Sequence, residues 1–227
     1  MCGRYSFAPT PKQRKEQLPM LDALEVININ FNIAPTQQAY VIGSDQPRQL
    51  QLMEWGLVPF WSKDGANQGR LINARSEGIE TKASFREPIH SRRCLVPADS
   101  FYEWRTAPGR RKIPYRILRH EAQLMFMAGI WDEWRQGNLV KRTFSIITTR
   151  PNKEVSDLHD RMPVLLLDPA EQETWLSQKS TPEQIMELLH PPADGLLELY
   201  RVSERLNSAG AEGAGLQERV EEELRLF

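Results

Sequence analysis

The strongest constraint on this chain is its series of short apolar segments, separated by turn residues and not alternating regularly with helices. Residues 3–8, 40–43, 49–55, 71–75, 94–98, 101–104, 112–118, 123–130, 143–149 and 199–202 read as strands, and 162–167 is again apolar. A doubly wound parallel fold needs a helix between successive strands, so this pattern argues against one. Helical signals are few. Pro11 to Leu24 and Ser84 to His90 are predicted helical, and Phe31 to Pro35 a loop. Pro169 to Gln178 and Thr181 to Leu189 begin with an N-cap before proline, at Asp168 and Thr181. The expected fold is a single α+β domain, with mixed and antiparallel sheets curling into a partly closed barrel and helices at its periphery. The domain is expected to span 2–206. Residues 207–227 form an acidic tail, read as a loop and a peripheral helix.

Twenty-nine basic residues against 30 acidic ones give no global sign of a nucleic-acid partner, so any such surface must come from local arginine clusters. Four acidic residues cluster between Glu218 and Glu223, which leaves the rest of the chain mildly basic. The absence of a long apolar run predicts no membrane span, and the early Arg4, Lys12, Arg14 and Lys15 without an apolar stretch predict no signal peptide. The expectation is a cytoplasmic monomer. The two cysteines, Cys2 and Cys94, and the dispersed histidines lack zinc spacing, so no metal is expected.

Chemistry concentrates in a few places. In Met1-Cys2-Gly3-Arg4, removal of Met1 would place a free amine and a thiol on neighbouring carbons. Such a pair condenses with an aldehyde: the amine forms an imine and the thiol closes a five-membered thiazolidine. An α-amine titrates near 7.7–8.0, so a useful fraction is neutral at pH 7. The same cysteine can instead act as an acyl-transfer nucleophile, or be a small residue on a frayed end.

In Leu71-Ile72-Asn73-Ala74-Arg75, strand alternation puts Asn73 and Arg75 on one face. Asn73 can orient an amine and Arg75 can hold a phosphate. Glu103, flanked by aromatics in Phe101-Tyr102-Glu103-Trp104, suits proton transfer. In Asp157-Leu158-His159-Asp160-Arg161, His159 titrates near neutrality and Arg161 is a second phosphate group. Each stretch also has an ordinary reading, as a strand end, edge strand or solvated turn. Trp55 and Trp104 read as core residues, whereas Trp61, in a loop, is the better stacking surface for an unpaired base.

Taken in order, Met1-Cys2-Gly3-Arg4, Asn32-Ile33-Ala34-Pro35, Trp55-Gly56-Leu57-Val58-Pro59, Leu71 to Arg75, Cys94 to Ala98 through Phe101 to Trp104, and Asp157 to Pro163 resemble the SRAP (SOS response-associated peptidase) family of abasic-site processing proteins. The resemblance implies covalent capture of abasic sites in single-stranded DNA, in protection of the lesion during the DNA damage response. It implies roles for Cys2 as nucleophile, Asn73 in positioning, and Glu103 and His159 in proton transfer. Arg4, Arg75 and Arg161 would hold phosphates. Asn32, Pro35 and Trp61 would lie along the DNA, near a bend or a single-strand/duplex junction. Such capture needs acid–base help to open the closed sugar, an amine, and a phosphate grip without base readout, and no cofactor. The rival readings are a Cys2-dependent peptidase, including self-removal of Met1, and a non-covalent single-strand binder.

Overall fold

The computed structural model describes residues 2–20, 27–66, 71–120 and 123–221. Twelve strands form among these residues: β1 (Tyr5–Phe7), β2 (Asn30–Ile33), β3 (Gln38–Gly43), β4 (Gln51–Trp55), β5 (Asn73–Arg75), β6 (Arg93–Ala98), β7 (Ser100–Thr106), β8 (Lys112–Arg119), β9 (Met125–Gln136), β10 (Leu139–Thr149), β11 (Met162–Pro163) and β12 (Leu197–Arg201). Five short helices accompany them: α1 (Pro11–Gln17), α2 (Pro88–Ser91), α3 (Lys153–Ser156), α4 (Pro169–Leu176) and α5 (Pro182–Glu187). The expected α+β domain is found.

Strands β10, β4, β3, β6 and β9 pair in that order, and β9 pairs back onto β10, which closes a five-stranded barrel. The closure is full where the sequence predicted a partial one. β9 and β10 are long enough to run past the barrel as a hairpin, turned by Gly137 at φ 55° between the paired Gln136 and Leu139. A two-residue turn of this kind needs positive φ, which glycine supplies. Where β6, β9 and β10 meet, Gly129 leaves no room for a side chain: a Cβ there would lie 2.9 Å from the Cys94 Sγ. β5 and β11 add to the free part of β10.

The second sheet is antiparallel, in the order β12-β8-β7-β1-β2. One apolar core joins it to the barrel, with Tyr5 edge-on to Trp55 at 5.1 Å and Trp55 stacked on Phe144 at 6.4 Å. Asp168 and Thr181 cap α4 and α5 as expected, each within a capping box.

Three local expectations change. Asn30–Ile33 is a strand, because β1 offers the segment a ladder partner that its own polar residues do not advertise. The predicted helix before His90 shortens to the single turn α2. Helix α1 ends at Gln17, with Leu18 as its C-cap; the rest of the expected helix, Leu21 to Leu24, lies outside the described residues. Residues 204–207, where the tail begins, and 214–217 within it form short 3₁₀ turns, and Leu216 is fully buried.

Candidate active site

Hydrogen bonds from β5 and β7 fasten the N-terminal segment that leads into β1. Cys2 is fully buried, its carbonyl accepts a hydrogen bond from Asn73 Nδ2 at 2.8 Å, and its thiol lies 3.8 Å from the Arg4 carbonyl. Tyr102 on β7 in turn donates its N–H to that carbonyl at 3.0 Å. Asn73 can reach Cys2 because β5 lies parallel to β10, with Asn73 opposite Ile146. Burial, and then the nearby Glu103 charge, push the Cys2 thiol far above the ordinary thiol range. A cysteine peptidase needs the opposite shift, toward thiolate.

Glu103 sits in the middle of β7, 3 % exposed, opposite Tyr115. Loss of solvent pushes its carboxyl up to about 7, which makes it available as acid and as base at neutral pH. His159 follows α3, and its Nε2 lies 4.0 Å from Glu103 Oε2. The Arg161 backbone N–H donates to His159 Nδ1 at 3.0 Å, which places the proton of the neutral ring on Nε2. Asp160 Oδ1, 2.9 Å from the same Nδ1, favours a protonated ring instead. The backbone donor prevails at neutral pH: Asp160 is 84 % exposed and screened, and burial lowers the His159 pKa below its usual value. An oxygen placed between the two side chains can lie within hydrogen-bond reach of both.

These groups border an open cleft of about 480 Å³, lined by Arg4, Glu103, Trp104, Lys112, His159 and Asn207. Lys112 and Asn207 were not among the sequence candidates, and Trp104 had been read as core. The basic hairpin between β7 and β8 was the available signal for Lys112; alternation along β7 puts Trp104 on the face opposite its neighbour Glu103, so it gave none for Trp104. For Asn207, far along the chain, the pattern carried none.

The expected phosphate groups divide. Arg75 is exposed at the end of β5, and Arg4 is half-buried at the cleft, its guanidinium 5.7 Å from the Trp104 ring centroid. Arg161 is 9 % exposed and already engaged, with a bidentate pair to Glu77 at 2.7 and 2.8 Å and a bond to the Thr148 carbonyl. Asn32, 2 % exposed, turns inward: its Oδ1 accepts from Arg4 Nη1 at 2.6 Å. Its position supports Arg4 and does not offer an amide to a ligand. Pro35 is half-buried in a turn in which Thr36 takes φ 72°. Phe60 and Trp61 stand 50 % and 54 % exposed in the loop after β4. Among the described residues, no group of three His, Cys, Asp or Glu side chains is placed to hold a metal ion, and no helix is long and apolar enough to cross a membrane.

The sequence profile of the family described as SOS response associated peptidase (SRAP) matches residues 1–209. The chain belongs to the SRAP family. Its relatives include the abasic site processing protein YoqW of Bacillus subtilis (strain 168), 40 % identical over 214 residues that cover 92 % of this chain and 95 % of that one. The abasic site processing protein HMCES of Gallus gallus is 33 % identical over 71 % of this SRAP chain and 54 % of its own length. A crystal structure of a protein from Bacteroides thetaiotaomicron shares the fold, with a TM-score of 0.81 and 29 % identity, over 96 % of this chain and 100 % of that one.

Proposed function

We propose that this SRAP protein processes abasic sites in single-stranded DNA by bonding Cys2 covalently to the exposed sugar aldehyde. The observation that carries this reading is the meeting of Glu103 and His159 across 4.0 Å, beside a Cys2 whose carbonyl is held by Asn73. The names of the relatives point to the same substrate.

Loss of Met1 turns the Cys2 peptide nitrogen into an α-amine. Glu103, with its carboxyl near 7, takes the hydroxyl proton of the closed sugar and returns it to the ring oxygen, giving the aldehyde. The amine nitrogen attacks C1′ to give a carbinolamine, which loses water to give an iminium: the protonated Glu103 carboxyl supplies the proton to the departing oxygen, which His159 Nε2–H hydrogen-bonds, and Glu103 is left ionised. The thiol adds to that carbon and releases its proton to the ionised Glu103. The balance is aldehyde plus amine plus thiol to thiazolidine plus water, with no change in oxidation state. A thiol held in its neutral form by burial suits this sequence, because the amine attacks first and the thiol only closes the ring. Arg4, at the cleft, and Arg75, exposed at the end of β5 two residues after Asn73, serve as phosphate contacts, and Trp61 and Pro35 supply apolar surface to a neighbouring base or duplex end.

The test is a denaturing gel of the purified protein with a single-stranded oligonucleotide carrying one abasic site. A heat-stable shifted band that requires both Cys2 and the aldehyde is expected. It should be absent with Cys2→Ala and with a tetrahydrofuran analogue. If no band forms once mass spectrometry shows Met1 gone, covalent capture is wrong, and a thiol hydrolase or non-covalent binder takes its place.

A further inference from the structure

The segment after β12 reaches the cleft at Asn207 and engages Arg4. The Leu206 carbonyl accepts from Arg4 Nη1 at 3.1 Å. Asn207 accepts from Trp104 Nε1 at 2.7 Å and donates to the Lys112 carbonyl at 3.1 Å. The carbonyls of Ser208, Ala209 and Ala211 then converge on Asn32 Nδ2, at 3.1, 3.5 and 2.8 Å. An amide whose nitrogen is surrounded by acceptors has only one orientation available, so Asn32 Oδ1 must face Arg4.

Further along, the segment is latched to the sheet. Leu216 packs, fully buried, with Tyr102, Val202 and Leu206. Gln217 Nε2 lies 2.8 Å from Asp99 Oδ2 and 2.9 Å from Ser6 Oγ, and Val220 N–H donates to the Arg201 carbonyl at 2.9 Å.

We infer that residues 208–221 are a strap that positions Arg4 for a DNA phosphate, with Asn32 as the positioning residue that transmits its hold. This rests on the DNA reading above. An arginine gripping a phosphate must give up rotamer freedom, and one held beforehand gives up less. Asn32, Leu206 and the Trp104 face together restrict the guanidinium through Nη1 and its ring face, while Arg4 still lines the cleft. The strap therefore acts on affinity and not on the bond-forming step.

The experiment measures binding of an oligonucleotide with a tetrahydrofuran abasic analogue across a salt series. The proteins are wild type, Arg4→Ala, Asn32→Ala, Leu216→Ala/Gln217→Ala, and the strap variant combined with Arg4→Ala. Thermal melts accompany each, and Gln217→Ala alone serves if the double change unfolds the protein. Loss of one phosphate contact lowers the slope of log affinity against log salt by about 0.7 for single strands. Asn32→Ala and the strap variant should each weaken binding about tenfold and lower the slope as Arg4→Ala does, and the strap variant should add nothing further in the Arg4→Ala background. At saturating abasic DNA the strap variant should crosslink at the wild-type rate. Wild-type binding with strap and Asn32 variants unchanged, or fully additive with Arg4→Ala, overturns the inference alone. Failure of the wild type to bind overturns the DNA reading and the inference with it.

Discussion

Glu103 Oε2 stands 4.0 Å from His159 Nε2, the carboxylate on a mid-sheet strand and the imidazole on the turn after α3. Burial lifts the carboxyl to about 7 and depresses the imidazole below its ordinary value, so at neutral pH one group is half ionised and the other uncharged. As a base, Glu103 must be ionised, so the capture rate should rise as pH climbs through about 7. Glu103→Gln should lose that inflection and slow capture by roughly 10²-fold or more. Rate against pH from quenched time courses checks this; an unchanged inflection in Glu103→Gln would assign it to another group.

The same shift has a stability consequence of defined sign. A carboxyl that binds its proton more tightly folded than unfolded stabilises the native state at low pH. That contribution is full below the unfolded value near 4.3 and is lost as pH rises to about 7. Glu103→Gln should therefore be more stable than wild type at pH 8, by about 3 kcal/mol more than at pH 4. Denaturant melts at the two pH values measure the difference. A gain equal at both would mean that the carboxyl titrates normally.

Asn73 Nδ2 donates to the Cys2 carbonyl, and Asn73→Asp would set a carboxylate oxygen against that carbonyl. The N-terminal segment should then lose its anchor to β5, and capture should slow more in Asn73→Asp than in Asn73→Ala. Equal rates in the two variants would mean that this bond does not hold the nucleophile.

Much of this was legible before the fold was known, for a physical reason. Cys2, Asn73, Glu103 and His159 lie in short stretches whose residue types are unusual together, and strand alternation already told which neighbours share a face. The barrel strands were visible as apolar runs. Their closure was not, because it depends on Gly129 admitting β6 and β10 at close range, a long-range fact. Asn32 and Arg161 were legible as polar groups, but their commitments to Arg4 and Glu77 join distant parts of the chain. The tail looked like an acidic appendage, yet Leu216 and Gln217 tie it to the second sheet. No local pattern marks a single leucine and a single glutamine as latch residues.

Arg93 offers a control outside the cleft. It is 1 % exposed, and its guanidinium donates to the carbonyls of Ile89, His90, Trp175 and Ser177, which joins the ends of α2 and α4 to β6. Arg93→Met should leave those carbonyls unpaired and cost about 3–5 kcal/mol in a denaturant melt. Capture per folded molecule should stay at wild type. A capture defect in a fully folded variant would show that α2 and α4 reach the site.

Trp61 should behave in the opposite way. With 54 % of its surface exposed, it packs too little to hold the fold, and Trp61→Ala should change stability by less than about 0.5 kcal/mol. Base stacking on an aromatic contributes about 1–3 kcal/mol, so affinity for a single-stranded tetrahydrofuran oligonucleotide should fall by roughly 5- to 150-fold. Phe60 is a poorer candidate for this role despite similar exposure. The Arg92 guanidinium already lies 5.9 Å from its ring centroid, and its N–H is tied to Asp132 at 2.9 Å. Fluorescence anisotropy with both alanine variants separates them. An equal loss in both would make the loop a shared apolar surface, and no loss in Trp61→Ala would remove the stacking role from this residue.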